Sequence, residues 1–373
     1  MPTVTTRIAS PQLRVDLDAL AANARTIRRG ARGLVAVVKA DAFGHGDVAA
    51  HLLANGADWL GTTSLDEAVA LRRRTGARTL AWLASPAADF DPAVAAGVDV
   101  AVPSLAHLRA VVAAARATGK RARVHLHVDL GIARDGAPRE AWRELATFAG
   151  ALARMGVVEP VGVMGHLSHA AHPLDPRNRT QRMLFDNAVR AASRRGFVPQ
   201  VRHVAATAAA LRGIGTEYEL VRVGAGLYGI DPAGGDALAA VVGLAAPAVV
   251  VRDVAAGTGV GYDHAWVADR RTRLATIPVG YADGIPRVAS GRAEVLVRGR
   301  RARVVGAVSM DQVVVDVGDA GVEPGEPVTI VGTEPAAPTL GDWASWSGTI
   351  AHDIVTHLGS RWQRSFTGGA ACA

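Results

Sequence analysis

With 373 residues, of which 49% are hydrophobic and 20% charged, the chain is long enough for two domains with well-filled cores. The net charge of +7 comes from arginines in short clusters without interleaved aromatic residues, and the longest apolar run, Leu238–Val251, contains Pro247 and is too short to span a membrane, so neither nucleic acid nor membrane is an expected partner. Residues 1–14 lack a secretory hydrophobic core and the single cysteine, Cys372, leaves no disulfide framework or thiolate metal site, so we expect a cytoplasmic protein.

Residues 30–230 alternate short β-branched apolar runs with alanine-rich amphipathic segments such as 64–75, 104–118 and 139–155. The predicted strands are 34–39, 59–63, 79–84, 98–102, 123–129, 161–167, 201–206 and 219–223. Eight such units predict a (β/α)₈ TIM barrel rather than an open sheet.

After residue 235, Val- and Gly-rich strands are separated by tight turns. They are predicted at 249–254, 273–278, 293–297, 302–308, 312–317 and 327–331, with a short closing helix near 343–358. The predicted fold class is therefore α/β, with an N-terminal barrel (residues 1–235) and a C-terminal, mainly β-strand domain (residues 236–373). Residues 1–12 are assigned to the barrel here, with packing against the β domain as the alternative.

Lysine is rare in this chain: among the 41 lysine and arginine residues, only Lys39 and Lys120 are lysines. Lys39 follows the apolar run 34–38. Arginine does not readily lose a proton and attack a carbonyl, whereas a desolvated lysine can. A lysine that extends its amine to solvent from a strand end is the structural alternative. Lys120 is expected to be a solvated turn residue.

The barrel prediction places chemistry at the carboxyl ends of the strands. Polar side chains recur there, at Lys39, Asp129, Arg134, His166, His203, Thr207 and Arg222. This clustering favours Lys39 as an active-site residue. No metal-ligand spacing stands out among the 12 histidines, so no metal is expected.

Several ordered segments carry a family resemblance: residues 36–46, 128–134, 221–229, 259–262, 276–284 and 309–312. Together they resemble the alanine racemases, which are fold-type III enzymes dependent on pyridoxal 5'-phosphate (PLP), and this chain looks like a divergent member. Gly224, Gly226 and Gly229 also fit a dinucleotide-binding pattern, but no strand with an acidic end follows at the right distance. The same glycines suit a phosphate cradle.

The resemblance implies PLP as cofactor and a two-base racemisation of L-alanine to D-alanine. Lys39 would hold PLP as a Schiff base and serve one face of the substrate, and Tyr262 would serve the other. Further cofactor-binding residues would be His166, Thr207, Arg222, Gly224, Ala225 and His352. Substrate-binding residues would be Arg134, Tyr281 and Met310, with supporting roles for His127, Asp129, His203 and Asp311. Tyr262 and Met310 would come from the partner subunit of a head-to-tail homodimer.

Four positions depart from the family pattern. His127 stands where many relatives carry a carbamylated lysine that orients the substrate arginine, so we hypothesise a bound chloride near His127 and Arg134, or a neighbouring acid such as Asp129. Phe43 and His352 replace two tyrosines, and Ala206 replaces a common asparagine. These changes lead to a second hypothesis, a racemase of serine or of a larger or polar amino acid. A catalytically weak PLP-binding paralogue is a third hypothesis. A decarboxylase of the same two-domain plan is a fourth, and it is disfavoured because Cys372 is the only cysteine.

Overall fold

The structure is a computed structural model, in which residues 7–369 are described. These residues form two compact units, one of residues 19–239 and the other of residues 7–18 with 240–369. The units thus divide after residue 239, whereas the sequence-based boundary lies after residue 235. Residues 1–6 and Cys372 lie outside the described residues. Within the described part, no helix is long and apolar enough to cross a membrane.

The strands, in chain order, are β1 (Gln12–Asp16), β2 (Leu34–Val37), β3 (Trp59–Thr62), β4 (Thr79–Ala81), β5 (Asp99–Val102), β6 (Ala122–His127), β7 (Val158–Met164), β8 (Val201–His203), β9 (Val221–Val223), β10 (Val242–Pro247), β11 (Val250–Val254), β12 (Gly259–Val260), β13 (Trp266–Val267), β14 (Thr272–Ile277), β15 (Glu294–Val297), β16 (Arg300–Val305), β17 (Val313–Asp316), β18 (Pro327–Val331) and β19 (Gln363–Thr367).

The helices are α1 (Leu17–Arg29), α2 (Lys39–Phe43), α3 (Ala49–Ala54), α4 (Leu65–Thr75), α5 (Asp91–Ala96), α6 (Leu105–Thr118), α7 (Arg139–Arg154), α8 (Pro176–Ser193), α9 (Thr207–Leu211), α10 (Leu340–Ser347) and α11 (Ala351–Thr356). Short 3-10 helices lie at Ala225–Tyr228, Tyr262–His264, Tyr281–Asp283 and Arg287–Ala289.

The first unit is the predicted barrel. Its parallel sheet runs in the order β8-β7-β6-β5-β4-β3-β2-β9, so that the first barrel strand pairs with the last. Backbone hydrogen bonds close the remaining seam, from Leu220 N to Arg202 O at 3.3 Å and from Arg222 N to Ala205 O at 2.9 Å. All eight strands predicted from the sequence are confirmed, although most are shorter than expected.

The barrel interior is a packed core. Strands β2, β3, β4 and β5 are buried along their whole length, as expected when helices cover one face and side chains fill the other. Val35, Trp59, Leu80, Val161 and Leu220 pack together inside. The mouth of the barrel is therefore the place where polar side chains reach solvent.

The second unit is mainly β, as predicted. Its large sheet has the order β11-β14-β17-β16-β15-β18-β10-β1-β19. The N-terminal strand β1 pairs antiparallel with β10 and parallel with β19, which explains why residues 7–18 belong to this unit.

The single closing helix predicted near 343–358 is wrong, because the segment forms two helices, α10 and α11. Gly348 ends α10 with a left-handed φ of 66°, a conformation that glycine adopts without steric cost.

Candidate active site

Polar side chains converge at the carboxyl ends of the barrel strands. Lys39 lies two residues beyond β2, His127 is the last residue of β6, and His166 lies two residues beyond β7. His203 ends β8, and Arg222 is the central residue of β9. The closed barrel thus brings together residues that lie more than 180 positions apart in the chain.

The Lys39 amine is half-buried and has no hydrogen bond or ion pair with another described residue. Burial lowers the pKa of Lys39, and the positive charge of Arg134 lowers it further. Both effects disfavour the ammonium form. Lys39 is therefore present as the neutral amine, which is the nucleophilic form, to a larger extent than a fully solvated lysine is.

The segment labelled α2, which begins at Lys39, is a left-handed turn rather than a right-handed helix. Residues 40–43 have φ between 52° and 57°, and none of them is glycine. Left-handed conformation costs such residues roughly 1–2 kcal/mol each. The turn is held by backbone hydrogen bonds from Ala42 N to Val38 O and from Gly44 N to Ala40 O, both at 3.0 Å.

His45 secures this turn from below. Its Nδ1 donates to Ala42 O at 2.9 Å and to Phe43 O at 3.0 Å, and its ring stacks on Tyr228 at 4.4 Å. The Tyr228 hydroxyl in turn donates to Val37 O at 3.1 Å. The Nδ1 side of the His45 ring therefore satisfies local backbone carbonyls of the turn.

Arg222 is the central cation of the barrel mouth and is only 5% exposed. It donates to Nδ1 of His203 at 2.7 Å and to the carbonyl of Gly165 at 2.8 Å, and His166 Nδ1 lies 3.5 Å away. Burial lowers the pKa of Arg222 to about 10. The guanidinium therefore remains protonated near neutral pH and donates hydrogen bonds only.

The histidines around Arg222 are neutral. Burial, reinforced by the charge of Arg222, lowers the pKa of His166 to about 3 and places that of His203 well below its usual value. Burial lowers the pKa of His127 to about 4. These imidazoles therefore add no positive charge to the site near neutral pH.

Arg134 lies in a loop whose acids have distinct functions. Asp129 Oδ1 accepts backbone N–H groups of Gly131 and Ile132 at 2.9 and 3.0 Å, so it stabilises the loop itself. Asp135 lies between Arg134 and His127. Its Oδ1 is 3.4 Å from Arg134 Nε, and its Oδ2 is 3.8 Å from His127 Nδ1. The acid nearest both His127 and Arg134 is thus Asp135, which the motif comparison missed although it directly follows Arg134.

Two short helices meet where an anion cradle was expected. Thr207 begins α9, Ala225 begins a 3-10 helix, and Gly226 N donates to Thr207 Oγ1 at 3.3 Å. The first N–H groups of a helix have no partner within it. Side chains are excluded here, since a Cβ on Gly224 would lie 2.7 Å from the Phe43 ring and one on Gly226 would lie 2.9 Å from Thr207.

This set of groups fits PLP: an amine for its aldehyde, a buried cationic donor for its ring nitrogen, and backbone amides for its phosphate. No group of three or more His, Cys, Asp or Glu side chains within residues 7–369 could hold a metal ion.

The remaining predicted site residues lie in the β unit. Tyr262 is 76% exposed, Met310 59% and Tyr281 44%. The loops of Tyr281 and Met310 are joined by backbone hydrogen bonds from Tyr281 N to Ser309 O at 3.0 Å and from Ala282 N to Met310 O at 2.9 Å. Asp311 is exposed beside Met310, and His352 lies half-buried on α11.

Comparisons with known proteins agree with these features. The family model for the alanine racemase N-terminal domain matches residues 15–232, and that for the C-terminal domain matches residues 241–366. An alanine racemase of Salinispora tropica is 42% identical, with 94% of this chain and 96% of the relative covered.

Solved structures give the same result. Alanine racemase from D-cycloserine-producing Streptomyces lavendulae superposes with a TM-score of 0.94 at 40% identity, covering 98% of this chain and 99% of that one. The Bartonella henselae alanine racemase, solved with covalently bound pyridoxal phosphate, gives 0.86 at 26% identity, covering 96% and 100%. The resemblance read from the motifs is confirmed, and the chain belongs to the alanine racemase family.

Proposed function

We propose that this protein is a PLP-dependent racemase that interconverts L- and D-alanine. The observation that carries the proposal is the half-buried Lys39 amine, with its lowered pKa, in the same barrel mouth as a buried guanidinium and a backbone-amide cradle. Alanine racemases with about 40% identity over nearly the whole chain support the choice of alanine.

Lys39, Arg222, Thr207, Gly224 and Ala225 would hold the cofactor, with His166 and His352 as further contacts. Bound PLP withdraws the electron pair that remains on the substrate Cα when its proton leaves. Arg222 donates a hydrogen bond without giving up its proton, so it limits that electron withdrawal. This restraint favours prompt reprotonation of Cα over competing reactions.

Proton transfer is assigned to two side chains. Inversion requires removal of the Cα proton on one face and delivery of another on the opposite face, which a single base does poorly. Lys39 serves one face as the neutral amine, and Tyr262 serves the other. Arg134 binds the substrate carboxylate, with Tyr281 and the Met310 loop beside it.

Asp135 is proposed to hold Arg134 in place of the carbamylated lysine found in many relatives. Burial lowers the pKa of His127 to about 4, so His127 is neutral near pH 7 and adds no positive charge beside Arg134. Negative charge beside Arg134 is supplied by Asp135, whose Oδ1 lies 3.4 Å from Arg134 Nε. A carboxylate in this position makes a bound chloride unnecessary.

The homodimer is part of the proposal. The predicted catalytic tyrosine is three-quarters exposed on its own unit, which suits a residue that completes the site of another copy. In the proposed head-to-tail arrangement, the Lys39 of one subunit works with the partner's Tyr262. As predicted from the sequence, we also propose a cytoplasmic location.

Mixing two inactive variants tests the shared site. If Lys39→Ala and Tyr262→Phe subunits exchange at random, half of the dimers are mixed, and each mixed dimer has one intact site. Activity should therefore recover to about one quarter of the wild-type value. No recovery, with subunit exchange verified by native mass spectrometry, would contradict shared sites.

The reaction itself is tested by incubating PLP-loaded protein with single L-amino acids in D₂O. The proposal expects inversion with α-deuteration, fastest by kcat/KM with alanine. Faster turnover of serine would favour the competing hypothesis based on Phe43 and His352. Exchange without inversion would leave only one working base, and no exchange with any amino acid would favour a PLP-binding paralogue.

A further inference from the structure

Beneath Arg222, inside the barrel, a chain of buried polar groups extends from His203 to His125 and Asp99. His125 on β6 and Asp99 on β5 are both 0% exposed. His125 precedes His127 by two residues, so both side chains point to the same face of the strand. The neighbouring strand β7 has Gly162 beside the imidazole, where a Cβ would lie 2.2 Å from His125 Nδ1.

The contacts in this chain fix the position of each proton. Arg222 has donors only, so His203 Nδ1, 2.7 Å away, must accept. A neutral His203 then carries its proton on Nε2, which lies 2.8 Å from His125 Nδ1 and donates to it. His125 in turn must carry its proton on Nε2, the nitrogen that faces Asp99 Oδ1 at 3.8 Å.

Asp99 supplies the charge that favours this arrangement. Its Oδ1 accepts from Arg123 Nε at 3.0 Å, and Arg78 Nη2 lies at 3.5 Å. Burial alone would raise the pKa of Asp99, but His125, Arg123 and Arg78 together hold it below its usual value. The 3.8 Å gap to His125 is too long for a hydrogen bond, so the coupling across it is electrostatic.

The reverse proton order, with His203 and His125 both protonated on Nδ1, would break the contact to Arg222. A proton on His203 Nδ1 would face the guanidinium N–H across 2.7 Å, and two donors cannot share that distance. Arg222 would have to move or lose a buried partner. The ionised Asp99 carboxylate disfavours this reverse order, because the unprotonated His125 Nε2 would then present a lone pair to it.

We propose that Asp99 and His125 are positioning residues, which hold His203 in the tautomer that accepts from Arg222 and thereby orient the guanidinium at the barrel mouth. The inference rests on the proposed function for its catalytic consequence, but the proton order is a property of the protein alone. A purely structural ion-pair cluster at this depth would stabilise the barrel without selecting a tautomer.

The test uses three variants of the chain and one matched control. His125→Phe removes the acceptor of His203 Nε2, and Asp99→Leu removes the charge and the acceptor oxygen. Asp99→Asn removes the charge alone, because Arg123 Nε still requires an acceptor and keeps an oxygen in the same place. The control is Thr79→Val, a fully buried polar residue on β4 whose hydroxyl donates to Ala77 O.

The first readout is ¹⁵N NMR of histidine-labelled protein without PLP, which distinguishes protonated from unprotonated ring nitrogens. Wild type and Thr79→Val should show His203 protonated on Nε2 only. His125→Phe, Asp99→Leu and Asp99→Asn, which all remove the electrostatic coupling, should show protonation of Nδ1 or a mixture. Unchanged His203 signals in these three variants would overturn the proposal.

The second readout is alanine racemisation by the PLP-loaded proteins. Misorientation of Arg222 should lower kcat roughly 10- to 100-fold in His125→Phe, Asp99→Leu and Asp99→Asn, with KM little changed. Losses in Thr79→Val that equal those in Asp99→Leu would reduce the cluster to a structural role. If Asp99→Leu does not fold, His125→Phe and Asp99→Asn decide the question.

The two proposals fail in distinguishable ways. A wild-type protein without racemase activity would refute the proposed function, whereas the tautomer of His203 in the PLP-free protein would still support or overturn this inference.

Discussion

The buried neutral histidines predict a specific loss of stability in acid. Burial lowers the pKa of His127 to about 4 and that of His166 to about 3, whereas both titrate near 6.5 in the unfolded chain. Below pH 6.5 the unfolded state therefore binds protons that the folded state does not. The free energy of unfolding is fully retained above pH 6.5 and falls as the pH decreases towards 4.

The size of the effect follows from these values. At pH 5 a histidine with a folded pKa of about 3 or 4 has lost about 2 kcal/mol of stabilisation relative to pH 8. His127 and His166 together therefore contribute a loss of about 4 kcal/mol, a large part of the 5–15 kcal/mol that is typical of a folded protein. The buried His125 and His203, whose pKa values burial also lowers, change in the same direction.

The assay is urea unfolding of the PLP-free protein between pH 8 and pH 5, followed by tryptophan fluorescence because Trp59 lies in the barrel core. His166→Gln should recover about 2 kcal/mol of the pH-dependent loss, whereas His172→Gln, at an exposed position, should recover none. An unfolding free energy that stays constant from pH 8 to pH 5 would refute the reasoning.

Two further substitutions test individual contacts. Asp135→Asn removes the partially exposed ion pair to Arg134, worth about 1 kcal/mol, so KM for alanine should rise roughly fivefold, whereas the control Asp47→Asn, at the exposed ion pair with Arg74, should leave KM unchanged. Added chloride should lower KM in Asp135→Asn but not in wild type. Chloride activation of the wild type would contradict the role given to Asp135. His45→Phe keeps a ring against Tyr228 but loses the two hydrogen bonds to the left-handed turn. The unfolding free energy should therefore fall by about 1–3 kcal/mol, and PLP affinity should fall with it. Wild-type stability and PLP affinity in His45→Phe would show that the turn is held by other contacts.

The sequence predicted the barrel because each strand is a short β-branched run separated from the next by an amphipathic helix. Strand β19 was missed because all five of its residues are exposed, so no apolar pattern marks it. Strand β1 was missed because its pairing with β10 and β19 joins opposite ends of the chain.

The position of a side chain at the barrel mouth could be predicted where it follows directly from strand order or from a motif, as for Lys39 and Arg222. Asp135 and the pair Asp99 and His125 escaped prediction because their importance depends on distances across the barrel. The left-handed turn after Lys39 was also unforeseen, since residues 40–43 include none of the glycine that usually signals this conformation.

The attachment of PLP to Lys39 is the central claim, and the scarcity of lysine makes it directly testable. Borohydride makes a reversible link between an amine and the PLP aldehyde permanent, and peptide mass spectrometry then locates the pyridoxyl group. The account predicts modification of the peptide that contains Lys39 and none at Lys120. Modification at Lys120 instead, or no modification of PLP-loaded protein at either lysine, would contradict it.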